Sequence, residues 1–193
     1  MLLFRPVQFT VDSSKADASY LLSREITSLI KNCMNKDMTP VILCIGTDRS
    51  TGDCLGPLVG DKLKKNYLMK NIQVYGTLNE PVHAKNLDDN IDKIYREILN
   101  PFIIAIDASL GKTENVGKIN IFKGPLYPGA GVNKNLKPVG DISITGIVNI
   151  SGFMEYIVLQ NTRLSLVMQM ADVISLGLYM SLRKLKGTLT YVY

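Results

Sequence analysis

Histidine and cysteine are scarce in this chain of 193 residues, one and three respectively, and each scarcity excludes something. The cysteines are Cys33, Cys44 and Cys54: an odd count, no CxxC spacing, and Cys44 inside an apolar run. That is no disulfide framework, and it fits free thiols in a reducing compartment. The single histidine, His83, leaves a poor ligand set for a catalytic zinc, which usually takes three protein ligands with histidine among them. No Cys–His pairing points to a thiol nucleophile. The loop Gly46-Thr-Asp-Arg-Ser-Thr-Gly52 has the glycines of a phosphate-binding turn but no GK[ST] ending and no GxGxxG spacing, so nucleotides are discounted. Neither a metal nor an organic cofactor is therefore expected.

Long apolar runs are also missing. The opening Met-Leu-Leu-Phe-Arg-Pro is too short for a secretory signal, and no stretch reads as a membrane span, so the expected location is cytoplasmic with no membrane partner. The net charge of +5 and a pI near 9.0 come from lysines scattered among acids, without a basic run interleaved with aromatics. This argues against nucleic acid; a modest positive field either steers an acidic protein substrate or only aids solubility. No repeat, low-complexity tract or linker breaks the chain, and a single α/β domain over 1–193 is expected. At 46% hydrophobic and 20% charged residues, a chain of this length buries roughly 70% of its unfolded surface without a staple.

What is present is a strand–helix alternation. Apolar positions Tyr20, Leu22, Ile26, Leu29, Ile30 and Cys33 follow a helical period over 14–34, with Ser13 or Ser14 as cap. Val41–Ile45 is a continuous apolar run of the kind that fills a central parallel strand. A helix from about Gly56 to Met69 tolerates Pro57 in its first turn. Then come a strand over 72–78, a helix over 87–99 opened by Asp88 and Asp89, and a strand from Phe102 ending on Asp107. Further strands are expected over 117–124 and 141–149, a long Gly- and Pro-rich loop over 124–140, a short helix over 152–160, a long one over 164–185, and an edge strand in the last seven residues. The order implies a mostly parallel, mixed sheet in a three-layer α/β/α sandwich.

Two acids stand where such sheets do chemistry. Asp53 lies between the first apolar strand and its helix, where free amides favour an anion; the plain alternative is that it caps that helix. Asp107 terminates Phe-Ile-Ile-Ala-Ile, at the C-terminal strand edge where ligands bind in open α/β sheets; the plain alternative is a turn aspartate bonded to the amides of 108–111. Facing each other, the two would repel, one would keep its proton, and acid and base would share one site. His83 and Glu80 follow the next strand in Asn79-Glu-Pro-Val-His-Ala-Lys-Asn86 and reach the same edge. Asp48, Arg49, Glu80, His83, Lys85 and Thr145 are candidates for shaping the cleft or holding substrate, with Asp48 and Arg49 also expected to pair locally.

The runs Ile45–Gly60, Gly76–Leu87 and Ala105-Ile-Asp-Ala-Ser109 resemble the YyaC-type sporulation proteins of spore-forming Firmicutes, over nearly the whole chain. More distantly, Gly-Asp-Cys-Leu-Gly-Pro resembles the aspartate turn of the germination protease, which cleaves small acid-soluble spore proteins, and Asp107 matches its second aspartate. Hydrogenase maturation proteases share the expected phosphorylase/hydrolase-like fold and use acids at positions like Asp53 and Asp107 plus a histidine to bind nickel. Here the only histidine lies in an earlier loop than theirs, which favours a metal-free acid pair.

The resemblance implies an aspartic-type endopeptidase of sporulation or germination in the forespore or mother cell, with Asp53 and Asp107 catalytic and small acid-soluble spore proteins among its substrates. The alternatives are a binding or regulatory protein that keeps the fold, assembling as a homo-oligomer, and a metal-dependent maturation protease.

Overall fold

The computed structural model describes residues 7–66, 72–128 and 136–189, with side chains as far as 184. Six strands form one sheet: β1 (Phe9–Asp12), β2 (Thr39–Cys44), β3 (Gln73–Tyr75), β4 (Pro101–Gly111), β5 (Lys118–Lys123) and β6 (Ile142–Ile150). Their order is β1-β5-β6-β4-β2-β3. The pairings β2·β3, β2·β4 and β4·β6 are parallel, and only β5 runs against its neighbours β1 and β6. The sheet is thus mixed and mostly parallel, as the strand–helix alternation demands.

Alternation along the strands sorts the core into two layers. Ile42 and Cys44 of β2 and Phe102, Ile104 and Ile106 of β4 pack on one face, against α1 (Ala18–Cys33), α2 (Leu55–Asn66) and α5 (Leu164–Leu189). Val41, Leu43, Ile103 and Ala105 point the other way, to Leu87 and Ile94 of α3 (Leu87–Glu97) and to Leu126 and Val139 of the long loop. Each fully enclosed side chain of this kind contributes about 1.5–3 kcal/mol by leaving water. The short α4 (Glu155–Gln160) sits beyond the end of β6.

Several expectations need correction. β1 was not expected: its four residues carry one buried side chain, Val11, too little for a periodic signal. The strand expected over the last seven residues is excluded as far as Leu189, because α5 continues to that residue; 190–193 lie outside the described residues. Neither Ser13 nor Ser14 caps α1, since Ser14 bonds Asp12 through its amide (2.9 Å) and its hydroxyl (2.7 Å), and Asp17 precedes the helix without a side-chain cap. β3 is three residues long rather than seven. Glycine 146 does not break β6; its missing Cβ leaves room for Leu55 and Met170. Finally, Leu164–Lys184 is long and apolar enough to pass for a membrane span, with a mean hydropathy of 1.4. Half of that stretch is buried, with Val167, Met170, Ala171, Ile174 and Leu178 in the core, as in an internal helix.

Candidate active site

The chain leaving β2 is gripped between two elements. Ile45 donates to the Ile106 carbonyl (2.7 Å) and Gly46 to the Val82 carbonyl (2.8 Å), so this loop, β4 and the segment after β3 meet at one point. Gly46 has φ +138°, and a Cβ there would strike the Asp53 carbonyl. The loop folds back tightly, with the Thr47 amide donating to the Asp53 carbonyl at 3.2 Å. Asp53 is therefore fixed directly above the end of β2. Its carboxyl does not cap α2: the first turn is closed by Cys54 N–H to Ser50 O (3.0 Å) and Leu58 N–H to Cys54 O (2.9 Å). Gly52 N–H donates to Leu159 O at 2.8 Å, which ties the loop to α4 from the other side.

Asp107 does not end its strand, because β4 runs on to Gly111 along β6. It stands instead where β2 has stopped: the β2·β4 ladder closes at Cys44 opposite Ile106, and Asp107 is the next residue, opposite Thr145 of β6. This staggered end opens the sheet edge at the acid. Its Oδ1 accepts the Ala108 amide at 2.8 Å, the only one of the expected turn bonds that forms.

The two carboxyls are electrostatically coupled. Burial is the main force raising the Asp107 pKa well above the carboxylate range, and the charge of Asp53 raises it further against a smaller lowering by the Ala108 amide. Asp53 is also raised, chiefly by burial, but the Thr47 amide and His83 pull it back. The repulsion between the two charges falls on Asp107. Such coupling is the condition under which an acid and a base can share one site.

His83 is the third member. Its backbone N–H donates to Asn86 Oδ1 at 2.8 Å, and its Nδ1 lies 3.3 Å from the Lys85 amide, which fixes the orientation of the ring. Asn86, not singled out in the sequence, holds this turn by also donating to the Pro81 carbonyl at 3.1 Å; its place just before a helix was the available signal. The other candidates scatter. Thr145 flanks Asp107, and Glu80 is exposed with a loose contact to Lys64 at 3.9 Å. Lys85, Asp48 and Arg49 are exposed. The expected Asp48–Arg49 ion pair does not form; the Thr47 hydroxyl donates to Asp48 at 3.4 Å and accepts the Arg49 backbone amide at 3.3 Å. Cys54 donates to the Thr51 carbonyl at 2.9 Å, and burial and Asp53 both push its pKa up, which keeps it a thiol. Among the described residues no three His, Cys, Asp or Glu side chains converge as a metal-ligand set.

A cavity of about 550 Å³ adjoins the site along β3, lined by Tyr75, Glu80, His83 and Asn86 among others but by neither aspartate.

The fold that builds this staggered parallel edge has a solved counterpart. The structure is similar to that of the [NiFe] hydrogenase maturation protease HycI from Thermococcus kodakarensis KOD1, with a TM-score of 0.55 over 82% of this chain and 99% of that one. At 17% identity this likeness speaks for the fold. Residues 10–177 match the family described as proteins of unknown function, DUF1256, and the chain belongs to it. It is 54% identical over 168 residues to the uncharacterized protein YyaC of Bacillus subtilis (strain 168), covering 87% of this chain and 80% of that relative.

Proposed function

We propose that the chain is a peptidase of sporulation or germination that hydrolyses peptide bonds in a protein substrate through the carboxyl pair Asp53 and Asp107, in the cytoplasm of the forespore or mother cell. One observation carries the reading: two elements far apart in sequence, the loop after β2 and strand β4, deliver two carboxyls whose charges interact in a buried setting. That is the arrangement a water-activating acid pair needs.

Asp53, ionised, takes a proton from a water molecule whose oxygen attacks the peptide carbonyl carbon. Asp107 gives its proton to the carbonyl oxygen; collapse of the tetrahedral species returns one hydroxyl proton to Asp107 and expels the amine, which leaves with the proton held on Asp53. His83 acts on Asp53 through charge and favours its ionised form. Small acid-soluble spore proteins are the proposed substrates.

The test is incubation of such a spore protein with the wild type, Asp53→Asn and Asp107→Asn, read by mass spectrometry. Cleavage at one site by the wild type, reduced about 10²–10⁴-fold in each variant, supports the pair as general acid and base. Equal cleavage by all three, or none by any, overturns it.

A further inference from the structure

We infer that the unpaired edge of β3 binds the substrate polypeptide as an added strand, in the groove that leads past His83 to the carboxyl pair. This deepens the peptidase reading and rests on it.

Among the described residues β3 is the outermost strand and is bonded only to β2, so one row of its backbone N–H and C=O groups faces outward. An edge this short can be left bare as a guard against aggregation; here it borders a built groove instead. The cavity of about 550 Å³ follows the strand from Gln73 to Gly76 and wraps it from both faces of the sheet. Lys64 of α2 stands on one side, and Asn90, Lys93 and Glu97 of α3 on the other. That volume is in the range of sites that enclose a specific ligand.

The lining selects the occupant. Its charges are of both signs and loosely held: Lys64 and Glu80 lie 3.9 Å apart, Lys93 sits 5.9 Å from the Tyr75 ring centre, and Glu97 accepts the Tyr75 hydroxyl at 3.3 Å. Exposed pairs at such distances exchange partners at little cost. With the amides of Gln73 and Asn90 beside them, they suit a peptide backbone carrying mixed side chains. A phosphate or lipid headgroup would call for a concentration of positive charge that the groove does not have. Main-chain pairing to an exposed edge supplies the affinity in this mode of recognition, and side-chain pockets supply the selection.

Direction completes the case. β3 is parallel to β2 and β4, so the groove runs toward the edge that carries the acids. It ends at His83, which lines the cavity and is coupled to Asp53, while the aspartates lie beyond its wall. The groove therefore holds residues flanking the bond to be cut, at about 3.3 Å of strand per residue, and the bond itself passes His83.

The experiment uses the full chain carrying Asp107→Asn, so that a bound peptide survives, and a dansyl-labelled degenerate decapeptide mixture capped at both ends. Amide hydrogen exchange at Gln73, Val74 and Tyr75 should slow at least tenfold on addition of the mixture. Asn90→Trp, which fills the groove, should weaken binding at least tenfold by anisotropy, whereas Val7→Ser, exposed ahead of β1 at the opposite end of the sheet order, should not. Cleavage by the wild type without slowed exchange at β3 overturns the groove and leaves the peptidase. Slowed exchange with no cleavage by the wild type upholds the groove and overturns the peptidase. Neither effect overturns both.

Discussion

At the residue scale, the proton on Asp107 has a cost that its function would require. Its pKa is higher folded than unfolded, so below the unfolded value both states are protonated and the site is neutral in its effect. As pH rises from there toward the folded value, the native state binds more protons than the unfolded chain and stability falls. Asp107→Asn removes that penalty without changing shape. It should therefore unfold at a higher temperature than the wild type at pH 8, with the gap closing as pH approaches 4, each kcal/mol appearing as about 2–4 °C. A thermal scan across pH checks it, and a variant that gains stability while losing cleavage separates catalytic strain from misfolding. Asp53, pulled back by Thr47 and His83, should show the same sign with a smaller gap in Asp53→Asn.

Much of the candidate site was legible in the sequence because its signals are local. Asp53 was visible as an acid between an apolar run and a helix, and Asp107 as an acid at the close of Phe-Ile-Ile-Ala-Ile. What could not be read was why Asp107 is accessible. The sequence suggests a strand end, whereas the structure uses a neighbour that stops one residue earlier, a property of register between β2 and β4 that neither segment carries alone. The Asp48–Arg49 pair failed for the opposite reason: adjacency in sequence does not bring two exposed side chains together, and the Asp48 carboxyl takes the hydroxyl of Thr47 instead.

At the element scale, α2 is what turns the β2 loop into a site, and it does so through glycine. A Cβ at Gly56 would run into the Ile45 backbone, and one at Gly60 into the Gly76 carbonyl, so the helix lies directly against both β2 and the turn after β3. Gly56→Ala has an acceptable helical residue but no space for it. The variant should lose about 1–3 kcal/mol in urea unfolding, the usual penalty of overpacking, and activity should fall further than stability because Asp53 stands two residues ahead of the displaced helix. If stability and activity were both intact, the close approach of α2 would not be what holds the acid. The same element shows the limit of periodicity: Leu55, Leu58, Val59 and Leu63 announce a helix face, yet the pattern is silent on how near that face comes to its strand.

At the scale of the whole molecule, polarity of the sheet divides labour. The parallel strands β2, β3, β4 and β6 all end at one edge, where the acids, His83 and the β3 groove collect, while the other half of each strand is devoted to the core. Mixed topology was within reach of sequence reasoning for the parallel strands, whose apolar runs are continuous, but the antiparallel β5 and the outermost β1 are set by long-range pairing, Phe9 opposite Ile121 and Thr10 opposite Asn120. Such a division predicts that stability and activity can be removed separately. Phe102 is 1% exposed at the start of β4, five residues from Asp107 and so about 16 Å along the strand. Phe102→Ala should cost about 3–5 kcal/mol, a large share of the stability of an ordinary domain. Cleavage per folded molecule, measured at 15 °C with the folded fraction fixed by circular dichroism, should stay within about twofold of the wild type, because the staggered end of β2 and the tie from Gly46 to Val82 hold the edge independently of the ring. A matching loss of activity per folded molecule would instead make the sheet a single coupled unit, with the geometry of the carboxyl pair set by packing at its opposite end.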